Sequence, residues 1–149
     1  AIRRQRQMCI RDSYGTGVQA CYRGPRLYDT PETQAAVTEV IQWYKKYRDI
    51  LNSDMIHLRR PDARDWDGFI HVNPHKKEKG LAMFFNPTHQ EITRTIHIPL
   101  YYTGLTQTAR IREKEQKPVT YKLNRDYTVE LTVKIPANGY TWYVVEAAD

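Results

Sequence analysis

Residues 127–135 read YTVELTVKI, and this stretch decides the fold class. Apolar side chains stand at every second position, and threonine, glutamate and lysine stand between them. Successive side chains of a β-strand point to opposite faces, so the pattern predicts a strand with one buried face and one face in water. Strands of this kind are typical of antiparallel sheets, which commonly have one solvated face.

The same alternation continues through the C-terminal half of the chain. It predicts about seven strands after Gly68, at residues 69–72, 81–86, 91–101, 109–113, 119–123, 127–135 and 140–146. Turn residues such as Gly104 and Gly139 separate the strands, and the loops are too short for crossover helices. We therefore predict a mainly β fold, with an antiparallel β-sandwich of about seven strands over residues 59–149.

One long amphipathic α-helix is predicted before the sandwich. Thr30 and Pro31 form a typical helix start, because a threonine oxygen accepts from free backbone amides and a proline ring suits the first turn. Apolar residues then recur at intervals of three and four from Val37 to Leu51. This spacing predicts a helix over about residues 31–52. Upstream, residues 18–22 predict a short buried strand.

The first thirteen residues differ from the rest of the chain. They carry a net charge of +3, out of +6 for all 149 residues, and show no hydrophobic period. Residues 8–13, MCIRDS, resemble the translation of a transposon-end adapter used in sequencing-library preparation, a known contaminant of genes assembled from environmental DNA. We predict that residues 1–13 are a disordered, non-native leader. The alternative is a genuine basic arm that binds an acidic partner.

The composition excludes several classes of function. No apolar run approaches the ~18 residues that a membrane-spanning helix needs, so we predict no membrane partner. Outside residues 1–13 there is no dense basic stripe interleaved with aromatic residues, which predicts that nucleic acid is not a partner. Cys9 and Cys21 match no metal or redox spacing, and a disulfide between them is not expected.

The motifs that usually carry chemistry are also missing. Residues 62–68, DARDWDG, fail the spacing of a calcium loop, because Arg64 would occupy a ligand position. Their carboxylates are predicted to serve in a turn and in surface ion pairs. His71 and His75 are separated by a proline, so they do not form the helical pair of a zinc site. We predict no metal, no cofactor and no catalytic residue in this chain.

Three stretches resemble bacterial α-galactosidase-like and related glycoside hydrolases. They are WYKKYRDILNSDMIHLRRPDARDWDGFIHVNP at 43–74, LAMFFNPT at 81–88 and VKIPANGYTWYVVE at 133–146. The order of elements is similar to the end of a (β/α)8-barrel enzyme followed by its C-terminal sandwich. The resemblance implies that residues 14–58 end the catalytic barrel with a strand, a loop and the helix, and that residues 59–149 form a non-catalytic sandwich that stabilises it.

The resemblance has consequences for the site. The catalytic carboxylates of such barrels lie at the ends of earlier strands, which this sequence lacks. The chain is therefore expected to be inactive alone, with the upstream barrel and, through the parent enzyme, a carbohydrate as partners. Tyr22, Arg23 and Arg26 would lie at the substrate-binding rim, where Arg23 would donate paired hydrogen bonds to sugar hydroxyls or hold a carboxylate. Trp66 is a further candidate, because an aromatic face complements the C–H face of a pyranose.

A free-standing carbohydrate-binding module is the alternative function, with Trp66 and the many tyrosines as the sugar-binding surface. The helix distinguishes the two hypotheses. A barrel fragment would leave the apolar face of residues 37–51 exposed, whereas a self-contained module would bury it. We expect the first outcome. The sequence leaves the localisation open, and a secreted or periplasmic parent is one option.

Overall fold

The computed structural model describes residues 13–18, 28 and 30–148. The chain divides into two compact units, residues 1–52 and 53–149. The described part of the first unit holds a 3-10 turn at Tyr14–Thr16 and helix α1, Pro31–Leu51. The second unit holds the strands β1 Asp54–Arg59, β2 Asp67–Val72, β3 Glu78–Phe85, β4 Ile92–Pro99, β5 Thr108–Glu113, β6 Val119–Lys122, β7 Thr128–Ile135 and β8 Tyr140–Ala147. In the described ranges, no helix combines the length and the hydropathy needed to cross a membrane.

Helix α1 begins at the predicted residue. The Thr30 side chain accepts a hydrogen bond from the Thr33 amide at 3.2 Å, and Pro31 occupies the first turn. This bond satisfies one of the amides that a helix start leaves without an intrahelical partner. At the other end, the Asn52 amide donates to the Arg48 carbonyl at 2.9 Å.

Most apolar residues of α1 are buried within this chain, and Ile41, Trp43 and Tyr44 are half-buried. Val37, Val40, Tyr47, Ile50 and Leu51 are each 6% exposed or less. The expectation that the chain alone exposes the face of residues 37–51 is therefore wrong. A self-contained module was expected to bury this face, so the burial agrees with that alternative.

The predicted buried strand at residues 18–22 is not supported where it can be examined. Val18 is 57% exposed, and residues 19–22 lie outside the described residues. The resemblance had placed residues up to 58 at the end of the barrel. Residues 54–59 form β1, which pairs with β2 and so belongs to the sheet. This pairing explains why the structure has eight strands over residues 54–147 where the sequence predicts about seven. It also places the division between the units at residues 52 and 53.

The strands form two antiparallel sheets. The larger has the order β1-β2-β3-β8-β5-β6, and the smaller consists of β4 and β7. Side chains of both sheets share one core, which is the arrangement expected of a β-sandwich. Its buried members larger than alanine are Ile70, Val72, Phe84, Ile96, Ile98, Leu100, Ile111, Leu123, Val129, Leu131, Val133, Ile135, Tyr143 and Val145.

Strand β7 confirms the alternation from which the fold was predicted. Val129, Leu131, Val133 and Ile135 are buried, and the residues between them are exposed. Strands β2, β3 and β8 differ, because almost all of their residues are buried. Both faces of these strands are thus removed from water, as continuous apolar runs such as LAMFF indicate.

Candidate functional site

Three of the four predicted site residues, Tyr22, Arg23 and Arg26, lie outside the described residues. Their role at a substrate rim stays a prediction. Trp66 is the fourth, and it lies in the loop between β1 and β2.

This loop is shaped by the side chain of Asp62. Its Oδ1 atom accepts hydrogen bonds from the amides of Arg64 at 2.9 Å and Asp65 at 3.1 Å. Aspartate favours such turns because its short side chain reaches backbone amides two and three residues ahead. Ala63, which follows Asp62, has a φ of 59°, in the left-handed region that few non-glycine residues adopt. The loop is therefore a defined structure.

Arg59 ties the ends of the loop together. Its guanidinium donates to Asp62 Oδ2 at 2.7 Å and to the Trp66 carbonyl, and it lies 5.8 Å from the centre of the Trp66 ring. The hydrogen bond from Arg59 is the largest cause that holds the pKa of Asp62 far below its usual range. Asp62 is thus a carboxylate committed to the turn, which is a poor candidate for proton transfer.

The ring of Trp66 is half-buried. It meets the ring of Phe84 edge to face, with centroids 5.8 Å apart, and packs against the shared core. Phe84 and Arg59 cover part of the ring. Whether its remaining surface contacts a sugar stays a prediction.

The other carboxylates of DARDWDG have different environments. Asp65 forms an ion pair with Arg94 at 3.3 Å, as predicted for a surface turn. Asp67, in contrast, is only 4% exposed and lies in β2. Among the described residues, no three histidine, cysteine, aspartate or glutamate side chains lie close enough to hold a metal ion.

Sequence reasoning missed a cluster of charges on β5 and β8. Glu146 is 9% exposed and forms ion pairs with Arg112 at 2.9 Å and with Arg110 at 3.4 Å. Glu113 accepts a hydrogen bond of 2.6 Å from the Thr141 hydroxyl. Glutamate is almost always solvated unless it is paired, so the sequence alone gives no reason to expect a buried Glu146. The spacing of Arg110 and Arg112, two apart on one strand face, was the available signal for a buried partner.

Glu113 and Glu146 do not form the acid pair that glycoside hydrolysis requires. Glu113 lies opposite Tyr143, and Arg110 lies opposite Glu146, in the pairing of β5 with β8. Tyr143 and Glu146 are three residues apart on one strand, so the two glutamates point to opposite faces of the sheet. Burial raises the pKa of the Tyr143 phenol above its ordinary range, and the nearby charge of Glu113 adds to this.

A group of three tyrosines is the second feature that the sequence did not reveal. Tyr101 and Tyr102 lie in a 3-10 turn and are 62% and 63% exposed. Their rings meet edge to face with centroids 5.1 Å apart, and Tyr101 meets Tyr127 in the same way at 5.4 Å. We call Tyr101, Tyr102 and Tyr127 the tyrosine platform. The dipeptide Tyr-Tyr before Thr-Gly was its only sequence signal, and the alternation placed Tyr101 in a strand.

Comparison with solved structures relates this geometry to known enzymes. A GH27 β-L-arabinopyranosidase from Geobacillus stearothermophilus matches 81% of this chain with a TM-score of 0.52 and 10% identity. An α-galactosidase from Mortierella vinacea matches 79% with a TM-score of 0.51 and 14% identity, and an α-amylase from Geobacillus thermoleovorans matches 83% with a TM-score of 0.50 and 11% identity. The chain shares its fold with part of these glycoside hydrolases.

The match covers only part of each of these enzymes. The chain spans 25% of the arabinopyranosidase, 29% of the α-galactosidase and 25% of the α-amylase. The resemblance to α-galactosidase-like glycoside hydrolases, predicted from three sequence stretches, is confirmed at the level of fold. No protein-family model matches the sequence. No curated protein matches it either.

Proposed function

We propose that this chain is the C-terminal part of a glycoside hydrolase, in which the β-domain is non-catalytic and stabilises a catalytic barrel. The observation that carries the proposal is the shared fold. About four-fifths of the chain matches enzymes that cleave sugars, yet it matches only about a quarter of each of them. In this proposal residues 14–52 end the barrel, with α1 as its last helix, and residues 53–149 form the β-domain.

The chemistry of the described carboxylates supports a non-catalytic role. Asp62 and Asp65 are held by arginines, and Glu146 is held by two. A general acid or nucleophile of a glycosidase needs a second carboxylate facing it across the scissile bond. We therefore propose that the reaction depends on carboxylates of the parent enzyme outside this chain. Tyr22, Arg23, Arg26 and Trp66 are proposed to contribute at most to substrate binding.

The second candidate is a free-standing carbohydrate-binding module. The burial of the apolar residues of α1 favours it, because a chain that covers its own apolar surface does not require a barrel. The two proposals differ in what precedes the coding sequence of residue 14.

The decisive experiment is long-read sequencing of the source DNA upstream of the codon for Tyr14. We expect an in-frame (β/α)8 barrel with two carboxylates at strand ends. A start codon near Tyr14, with no barrel in frame, would contradict the leading proposal and support the binding module.

The parent enzyme allows a second test of the non-catalytic role. Three proteins are compared for hydrolysis of chromogenic glycosides and for thermal unfolding: the parent, the parent without residues 53–149, and the present chain. We expect no hydrolysis by the chain alone, and a lower melting temperature for the shortened parent because the barrel loses its packing partner. Activity of the isolated chain would overturn this assignment.

A further inference from the structure

The turn between β7 and β8 places special demands on two adjacent residues. Residues 136–139 read PANG, and the Gly139 amide donates to the Pro136 carbonyl at 3.1 Å, which closes a four-residue turn. Asn138, the third residue of this turn, has a φ of 47°, a left-handed conformation that asparagine tolerates better than most residues. The turn therefore favours asparagine or glycine at position 138.

The next position is restricted by lack of space. A Cβ atom added to Gly139 would lie 3.1 Å from the Cβ atom of Pro136 and 3.2 Å from its carbonyl oxygen. Glycine avoids these close contacts because it has no Cβ atom. The geometry of the turn thus explains both residues of the pair Asn138-Gly139.

The same pair is the asparagine site most prone to chemical change. The backbone nitrogen of the following residue can attack the side-chain carbonyl carbon of an asparagine, and a glycine has no side chain to hinder this attack. Of the five asparagines in the sequence, only Asn138 precedes a glycine. Asn73 and Asn86 precede prolines, whose nitrogen carries no hydrogen and does not react in this way.

The folded turn holds the reacting groups in hydrogen bonds. The N–H of Gly139, which contains the attacking nitrogen, already donates within the turn, and the Gly139 carbonyl accepts from the Asn86 amide at 2.9 Å. The Asn138 amide donates to the Thr88 carbonyl at 2.8 Å, and the Asn138 side-chain nitrogen lies 3.1 Å from Nδ1 of His89. The Gly139 nitrogen must turn toward the Asn138 side chain before it can attack, so these bonds must open first.

We propose that Asn138 is a deamidation site and that opening of the β7–β8 turn controls its rate. In this reaction the Gly139 nitrogen forms a bond to Cγ of Asn138, and the bond from Cγ to Nδ2 breaks. Nδ2 leaves as ammonia, with the proton that the Gly139 nitrogen gives up. Water then opens the succinimide ring at one of its two carbonyls, which yields aspartate or isoaspartate at position 138.

The product has a structural consequence. Isoaspartate lengthens the main chain within the turn, so the backbone bonds to Asn86 and Thr88 are expected to be lost. Deamidation would therefore loosen the link between the β7–β8 turn and the β3–β4 loop. The proposal does not depend on the glycosidase assignment, so the failure of one leaves the other standing.

The test is incubation of the full chain at mildly alkaline pH, with and without enough guanidinium chloride to unfold it. Peptide mapping by mass spectrometry detects the replacement of NH2 by OH at each asparagine. We expect the unfolded chain to deamidate mainly at Asn138, and the folded chain to do so at least about tenfold more slowly, because the turn must open first. Asn73 and Asn86 should stay unchanged in both samples.

Three variants separate the chemistry from the opening of the turn. Asn86→Asp removes the side-chain donor to the Pro136 carbonyl, so the rate at Asn138 under native conditions should rise by about threefold or more. Asn124→Asp, the matched control on an exposed asparagine, should leave this rate unchanged. Asn138→Gly should abolish the modification at position 138 without loss of thermal stability, because glycine adopts a φ of 47° freely. Circular dichroism verifies that each variant is folded.

Three outcomes would overturn the proposal. The absence of deamidation at Asn138 in the unfolded chain would remove the site. A folded rate equal to or above the unfolded rate would exclude control by the turn, and a higher folded rate would assign a promoting role to the contact with His89. An unchanged rate in Asn86→Asp would likewise contradict control by the turn.

Discussion

At the residue scale, Asn86 joins the two sheets at the end of β3. Its side-chain amide donates to the carbonyls of Gln90 at 2.7 Å, Ile135 at 3.2 Å and Pro136 at 3.1 Å. Its Oδ1 atom accepts from the amide and the hydroxyl of Thr88, at 2.9 and 2.7 Å. Asn86 is 1% exposed, so water does not compete for these bonds. One side chain therefore links the β3–β4 loop to the end of β7.

The substitution Asn86→Asp tests this link with almost no change in size. An oxygen would replace the amide nitrogen opposite three carbonyl oxygens, so we expect the free energy of unfolding to fall by about 3 kcal/mol. Urea unfolding followed by circular dichroism measures the change. Asn124→Asp is the matched control, because Asn124 is exposed, and its effect should stay within about 0.5 kcal/mol. Equal effects of the two substitutions would contradict a stabilising role for the hydrogen bonds of Asn86.

At the scale of elements, β7 shows how a strand divides between core and solvent. Leu131 is 3% exposed and lies opposite Ile96 in the pairing with β4, whereas the adjacent Thr132 is exposed. The smaller sheet has only two strands, and an isolated pair of strands is marginal in water. It persists because its inner face is buried in the shared core.

Substitutions at these neighbouring positions should therefore differ strongly. Leu131→Ala removes a buried side chain and leaves a cavity, so we expect a loss of about 3 kcal/mol in the free energy of unfolding. Thr132→Ala, on the outer face, should cost less than about 1 kcal/mol. Urea unfolding of the two variants provides the comparison. A similar loss at both positions would contradict the two-faced description of β7.

At the scale of the whole molecule, every residue of the shared core that the structure describes lies in the second unit. The core and the hydrophobic residues packed against it begin at Ile56 and end at Val145, inside residues 53–149. Strands that are distant in sequence complete the larger sheet, since β8 pairs with both β3 and β5. The core is thus closed only when the last strand is in place.

Residues 53–149 expressed alone should consequently keep a β-type circular dichroism spectrum and unfold in one cooperative transition. A shorter chain, residues 53–126, lacks β7 and β8 and should show no such transition. Thermal and urea unfolding measure both. If residues 53–149 fail to unfold cooperatively, residues 1–52 are needed for the folding of the second unit.

Local sequence patterns by themselves determined much of this fold. The cap at Thr30 and Pro31 determined where α1 begins, and the alternation in residues 127–135 determined which face of β7 is buried. These features depend on neighbours within a few residues, so periodicity and capping reveal them. The candidate residues Tyr22, Arg23 and Arg26 came from resemblance and remain predictions.

Tertiary structure decided the features that depend on residues far apart in the chain. The addition of β1 to the sheet, the burial of Glu146 with Arg112, and the packing of Trp66 on Phe84 all require partners that local patterns do not name. The tyrosine platform is of the same kind, because Tyr101 and Tyr127 meet only after β4 has paired with β7. A local pattern shows which face of one segment is buried. Which distant residue each side chain contacts depends on how all the strands pair.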